Sequence, residues 1–400
     1  MQFKLLQFYK VLSNFATNLI SSFIPLIVYR ETGNIYLAVG SLILGYLFTI
    51  ICNCLLKKLL YKFPELCLCL RIIPIVAMQL TLLFISVSPV FMIFVFAICY
   101  GLNYTLKTVP CEVIYTYSVP PNTSAAKLGL SRAFEQAGFV LSCVIGGLFL
   151  DKISTLYVVI ISLSLYFVSS LPLMIYYMIN KGKNAFNTEA VSNAHAFYES
   201  KDVTQKGKKV SKKIKLLYFI DFVLVAGVDA FYRFFGFATY LKTGSFLISG
   251  ALSGSCDAIQ GIMAFVAGKL DEKKDLTILA SVSTFIIAVC IVIATLTIGL
   301  WPSFVCFLIM PIFWPIATLF INQRMLTKSK ILGITNECNF QKYNGHLLGQ
   351  LSCYVFGLTG VVWAMFIVAA ILMFSSGISL PIIEEKTRKT LVDYIENNDN

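Results

Sequence analysis

The sequence predicts an all-α membrane protein, twelve transmembrane helices in two pseudo-symmetric six-helix bundles, and three observations carry that expectation. First, 58% of the residues are hydrophobic and 13% are charged, with a mean hydropathy of +0.80. Apolar runs of about 20 residues, the length of one bilayer crossing, recur from end to end. Second, lysine and arginine gather in alternate loops, the asymmetry that marks the cytoplasmic side of a membrane protein. Third, two pairs of segments match at nearly one offset, the trace of a duplicated unit.

Taken in order, the spans are expected at about 9–29, 35–56, 66–87, 90–116, 128–150 and 154–179, then at about 214–240, 245–268, 276–299, 301–323, 334–357 and 360–383. Little chain is left for a separate soluble domain. The eleventh span is the least regular. Its first half carries Asn336, Glu337, Asn339, Gln341, Lys342 and Asn344, which suit an aqueous lining better than a lipid face and leave its start open.

Basic residues test this map. Loops on one side hold Lys57, Lys58 and Lys62, then Lys127, then nine lysines from Lys181 to Lys215, then Lys269, Lys273 and Lys274, then Arg324, Lys328 and Lys330. The other side holds only Arg30, Lys152 and Lys242. An even number of spans then puts both termini in the cytoplasm of a multi-pass protein, expected in the plasma membrane (a bacterial inner membrane) and functional as a monomer. The net charge of +12 is this topology signal and calls for no nucleic acid partner. The first apolar stretch reads as a retained span rather than a cleaved leader. The twelve cysteines lie in spans or beside cytoplasmic loops and behave as small apolar residues, not as a disulfide framework. Cys52 with Cys54 and Cys67 with Cys69 point about 200° apart on a helix, so no metal or other cofactor is expected.

The repeat sets the domains. Leu5, Leu6, Phe8, Phe23, Tyr29, Thr32 and Gly33 recur as Leu216, Leu217, Phe219, Phe234, Tyr240, Thr243 and Gly244, 211 residues on. Leu141-Ser142-Cys143 with Gly147 recurs as Leu351-Ser352-Cys353 with Gly357, at an offset of 210. The halves are then 1–180 and 214–400, joined by a basic cytoplasmic linker over 181–213 that is either simply solvated or carries a short amphipathic helix near Ala190 to Tyr198.

In the loop after the second span, Asn53, Leu55, Lys57 and Lys58 stand at the positions of an eroded G-x-L-x-D-R-x-G-R motif, and in the symmetry-related loop Gly268, Leu270, Glu272 and Lys273 match, with Asp271 adjacent. Gly138, Gly146 and Gly147, followed by Asp151, form a glycine-rich fifth span. On these residues the chain resembles the major facilitator superfamily, twelve-helix secondary transporters with a basic central loop. The resemblance implies a gating salt-bridge network at Asp271, Glu272 and Lys273, and a third helix of each three-helix unit that faces lipid while the others line a cavity. Spans six, nine and twelve contain no ionisable residue and span three only Arg71, in keeping with that arrangement.

A charge at mid-bilayer costs roughly 2.5 to 3.5 kcal/mol, so embedded ionisable groups normally face a protein interior or a wet path. Asp229 and Asp257 are equidistant from the turn between spans seven and eight and so share a depth, with Arg233 one helical turn from Asp229. Two carboxylates facing one guanidinium suit proton coupling; Arg233 as an anchor for an anionic solute and a structural network are the alternatives. His346 either relays protons or is a hydrogen-bonded lining residue. Glu112 with Arg132, and Lys107 with Glu135, are placed at matching depths for interhelical ion pairs that act either as gates or as structural clamps. Asp221, nearer the cytoplasm, is expected to be a mouth or gate residue. Asn18, Asn103 and Gln260 offer hydrogen bonds to a solute, and Tyr104 and Tyr232 an aromatic wall, unless they serve packing alone. Phe231, Tyr232, Phe234, Phe235 and Phe237 surround the seventh span, so some of them are expected to face lipid.

The expected function is secondary transport of a small solute by alternating access, proton-coupled, leaning to efflux of amphipathic organic compounds. Proton-coupled uptake of a sugar, peptide or organic anion is the alternative, and a transport-inactive sensor of the same fold a third. No Walker-type loop for direct ATP drive and no catalytic constellation are visible, so no enzyme is expected.

Overall fold

The computed structural model describes residues 2–118, 124–180, 205–271, 276–298, 301–332, 334–359 and 362–396, and its regular structure is helical throughout. The helices fall on the expected spans. The first is Gln2–Ser21 with Ile24–Thr32, the second Ile35–Lys62, the third Pro64–Leu70 with Ile72–Leu83, the fourth Pro89–Ser118, the fifth Ser124–Lys152 and the sixth Thr155–Asn180. The seventh is Gln205–Val225 with Gly227–Thr243, the eighth Phe246–Asp271, the ninth Thr277–Leu296, the tenth Trp301–Ile331, the eleventh Thr335–Gly357 and the twelfth Val362–Glu396. Among the described residues ten of these are long and apolar enough to cross a membrane. The seventh, interrupted at Ala226, and the polar eleventh are not among them.

Local chemistry explains the boundaries. The first and seventh spans both end on a left-handed glycine, Gly33 at φ 63° and Gly244 at φ 65°, whose N–H groups bond the carbonyls of Tyr29 and Tyr240. These are caps that glycine adopts without a Cβ penalty, and they stand 211 residues apart, on the repeat offset. Asn34 caps the second span by accepting from the N–H groups of Tyr36 and Leu37. The seventh span starts at Gln205, so the basic stretch 205–213, read as linker, is helical. The stretch at 190–198 lies outside the described residues.

Packing repeats in the two halves. The first span lies on the fifth and sixth, as the seventh lies on the eleventh and twelfth; the second pairs with the fourth as the eighth does with the tenth. The third joins the fourth and sixth, and the ninth the tenth and twelfth, which leaves spans three, six, nine and twelve on the outside. Their outward stripes are apolar and helically spaced, as in Trp363, Ile367, Ile371, Phe374 and Ile378 of the twelfth. Between the halves, the fifth span packs on the eighth and the second on the eleventh. Glycines make the first of these seams close: a Cβ on Gly147 would stand 2.6 Å from the Phe246 carbonyl oxygen, and one on Gly250 would run into the carbonyl oxygen of Cys143.

The aromatic residues of the seventh span correct the sequence reading. None faces lipid: Phe231, Phe234, Phe235 and Phe237 are buried and Tyr232 is half-buried. Phe235 stacks on Phe307 of the tenth span at 4.5 Å, Phe231 meets Phe366 of the twelfth at 4.7 Å, and Phe237 meets Tyr29 of the first at 5.6 Å. Around these aromatics the seventh span meets protein or the cavity, whereas Leu216, Ile220 and Leu241 nearer its ends are exposed.

Candidate functional site

A cavity of about 330 Å³ lies between the halves, lined by spans one, four and five of the first half and seven, eight, ten and eleven of the second, with Arg71 from the third. Asp229, Asp257, His346, Arg233, Asn18, Asn103, Tyr104, Lys107, Gln260 and Tyr232 all reach its wall. Residues spread over five spans thus converge on one volume.

The seventh span breaks at Ala226, and Asp229 sits in the first turn of the segment that restarts at Gly227, where the helix dipole favours a carboxylate. Across from it the eleventh span carries Gly345 and Gly349, one helical turn apart. A Cβ on Gly345 would stand 2.7 Å from the carbonyl oxygen of Phe219, and one on Gly349 would overlap that of Val223. Only because both side chains are absent can the eleventh backbone approach the seventh so closely. His346 and Gln350, on the same helical face, then both reach Asp229 Oδ2, with Nε2 of His346 at 2.5 Å and Nε2 of Gln350 at 3.3 Å.

This arrangement replaces the expected Asp229–Arg233 pair. Arg233 forms no ion pair within the seventh span; its guanidinium is exposed to the cavity and lies 6.0 Å over the ring of Tyr46. Tyr46 stacks on Tyr354 at 5.4 Å and meets Tyr100 edge-on at 6.0 Å, and Tyr100 stacks on Tyr104. The cation therefore faces a tyrosine box assembled from spans two, four and eleven. Asp257 stands across the cavity and makes no ion pair among the described residues.

Two more networks flank the cavity. Lys107 and Glu135 pair as expected, at 3.8 Å, through Asn14, which accepts from Lys107 and donates to Glu135 at 3.2 Å. Glu112 departs from expectation: its partner is Lys342 of the eleventh span at 2.7 Å, not Arg132. The pair joins the two halves at the end carrying the lysine-rich loops. Beside it Tyr61 donates to the Asn336 carbonyl at 2.8 Å and Asn53 to Asn344 at 3.1 Å. Asn336, Lys342 and Asn344 of the eleventh span therefore bind the opposite half, whereas Glu337 is exposed and pairs with Lys215 of its own half. The Asp271 side chain, Glu272 and Lys273 lie outside the described residues.

Toward the other end, Gln136 donates to Gln260 across the halves. Asp151 holds the start of the eighth span, accepting from the N–H groups of Phe246 and Leu247, each at 2.9 Å, and from Ser245 Oγ at 2.8 Å. Contacts between the halves thus lie on both sides of the cavity. Asp221 is not at a mouth: it is 2% exposed and accepts from Ser379 Oγ of the twelfth span at 3.5 Å.

Arg71 was missed by sequence reading, which placed it near the end of a lipid-facing span. It sits at the break of the third span, is 1% exposed, and donates through Nε to Asn103 Oδ1 at 2.7 Å and through Nη1 to the Tyr9 hydroxyl at 3.2 Å. Asn103, expected to meet solute, therefore commits its carbonyl to Arg71. The prolines at 64 and 74 were the available hint of a break there.

A family model described as Major Facilitator Superfamily matches residues 8–340. No curated protein matches the sequence. Among solved structures, a bacterial homologue of the iron transporter ferroportin in an outward-facing state is 12% identical, with a TM-score of 0.68 over 97% of this chain and 100% of that one. The E. coli fucose:proton symporter is 13% identical, with a TM-score of 0.56 over 96% and 98%. The human organic anion transporter MFSD10 is 11% identical, with a TM-score of 0.58 over 94% and 98%. At these identities the likeness is one of fold.

Proposed function

Because the chain belongs to the Major Facilitator Superfamily, we propose that it is a secondary active transporter that moves a small solute across the membrane by alternating access, coupled to protons. It is a multi-pass membrane protein with a transporter fold. The reading places it in the plasma membrane as a monomer, with both termini in the cytoplasm and the halves 1–180 and 214–400 rocking about the cavity.

The observation that carries the coupling is Asp229 held by His346 at 2.5 Å in the wall of a cavity between the halves. An imidazole and a carboxylate can share or exchange a proton, and the strength of their bond follows that proton. Protonation state thereby sets how firmly spans seven and eleven are tied, and so biases one orientation of the cavity over the other. Asp257, unpaired across the volume, is a second carboxylate able to exchange a proton with solvent. The fucose:proton symporter among the structural neighbours is in keeping with this coupling.

Tyr104, Tyr232, Phe139, Phe237 and Phe307 give the wall an aromatic character that supports export of amphipathic organic compounds. One observation favours a second reading, uptake of a nutrient anion: Arg233 presents an exposed guanidinium to the cavity with no carboxylate paired to it. The full chain reconstituted in vesicles under an imposed pH gradient, with a lumenal pH dye, tests both. Amphipathic cations, sugars, peptides and organic anions are added in turn. A solute that dissipates the gradient in wild type but not in Asp229→Asn supports the coupling. Solute flux without proton movement removes it, and no flux of any solute by folded protein leaves a sensor rather than a carrier.

A further inference from the structure

Among the cations of the cavity wall, Lys107 pairs with Glu135, and Arg233 shares the open volume with Asp257. Arg71 has no such neighbour. Its guanidinium is almost wholly buried, yet no acid lies within ion-pair distance of it among the described residues; its partners are the neutral Asn103 amide, the Tyr9 hydroxyl and the face of Tyr166, 5.4 Å from Cζ. Burying a cation without a counter-charge is costly, and neutral dipoles offset only part of it. Of the five donors on the fork, those on Nη2 have no partner among the described residues, and Arg71 forms part of the cavity wall.

We propose that Arg71 is the seat for the carboxylate of a small organic acid, the solute class that this cavity takes. The inference rests on the transporter reading above and deepens it. A carboxylate presents two oxygens in the plane of a guanidinium, so the remaining edge of the fork is the natural complement. Asn103 and Tyr9 hold that fork in place from one side and are positioning residues. Lys107 lies in the same stretch of wall and occupies Glu135, so that carboxylate is not the counter-charge of Arg71. The hydrocarbon body of the acid then rests against the aromatic side chains Phe139, Tyr104 and Phe307, and a volume of about 330 Å³ accommodates a ligand of benzoate size.

The test compares benzoate with benzamide, its uncharged near-isostere, on the purified full chain in detergent, reading thermal stabilisation and calorimetric affinity. Benzoate is expected to raise the melting temperature and benzamide not to. Asn103→Asp would place a permanent counter-charge against Arg71 Nε with almost no change in shape, and is expected to weaken benzoate roughly ten- to a hundredfold while keeping the protein folded. Arg71→Gln should do the same, with partial recovery in Arg71→Lys. Unchanged benzoate affinity in Asn103→Asp overturns the proposal, and so does unchanged affinity in folded Arg71→Gln. Equal responses to benzoate and benzamide, including no response to either, overturn it also, even where the Arg71 variants fail to fold. Inorganic phosphate binding through Arg71 in place of benzoate overturns the carboxylate assignment. The two readings separate: Arg71-dependent benzoate binding without flux keeps the seat and removes the carrier, whereas flux of neutral solutes without anion binding does the reverse.

Discussion

Replacing Gly345 with alanine tests whether the Asp229–His346 contact depends on how closely two backbones approach. The added Cβ would stand 2.7 Å from the Phe219 carbonyl oxygen, where ordinary contact begins at 3.4 Å, so the eleventh span must retreat by about 0.7 Å. His346 is the next residue and retreats with it. A bond of 2.5 Å then opens to about 3.2 Å, the outer edge of a useful hydrogen bond. Overpacking of this kind costs about 1–3 kcal/mol, and a weakened bond to a charged group about as much again. The chain has two histidines, so selective 15N-histidine labelling gives an uncrowded spectrum in which the bonded Nε2 of His346 is readable without knowing the solute. Gly345→Ala should move that signal toward its solvent-exposed position and lower the melting temperature by several degrees. Gly40→Ala is the control, because nothing lies within 4 Å of its added Cβ, and helix propensity alone should leave it neutral or slightly stabilised. If the two variants give the same spectrum and the same melting temperature, close packing of spans seven and eleven is not what places His346.

Three further outcomes are expected. Asp229→Asn should abolish movement driven by a pH gradient while sparing solute exchange between equal concentrations, measured in vesicles, because only the protonatable partner of His346 is removed. Glu112→Gln or Lys342→Gln alone should destabilise by about 3–5 kcal/mol, since each leaves a largely buried charge unmatched, whereas the double exchange Glu112→Lys with Lys342→Glu should recover most of the melting temperature. Asp151→Ala should cost about 1–2 kcal/mol through loss of the cap on the eighth span, and Asp151→Asn clearly less, as judged by melting of the purified protein.

Much of this architecture is legible in the sequence because its causes are local or repeated. Apolar length gives the spans, and matched Gly33 and Gly244 prove to be paired left-handed caps. The wall of the cavity is legible for a related reason: polar side chains in apolar helices have few places to go, and all ten residues named for coupling or solute contact reach it. Their partners are another matter. Depth counting fixes height but not rotation, so it found Lys107 with Glu135 and missed that Glu112 turns toward Lys342, a residue more than two hundred positions away. It paired Asp229 with Arg233 by helical spacing, although His346 and Gln350 approach from another helix over two glycines whose significance is visible only once the helices are packed. Arg71 stood out only as the one ionisable residue of an outer span, and the break that places it beside Asn103 and Tyr9 is visible once the helices are packed.

The fifth and eighth helices meet main chain against main chain, with glycines where interlocking side chains would otherwise stand. A joint of that sort has few cogs to disengage: its partners can slip and tilt while staying in van der Waals touch, and only small rotamer changes follow. The same smoothness makes it intolerant of grit. One extra methyl at position 250 meets an immovable carbonyl rather than a yielding side chain, so the bearing that permits motion is also where the molecule is easiest to jam.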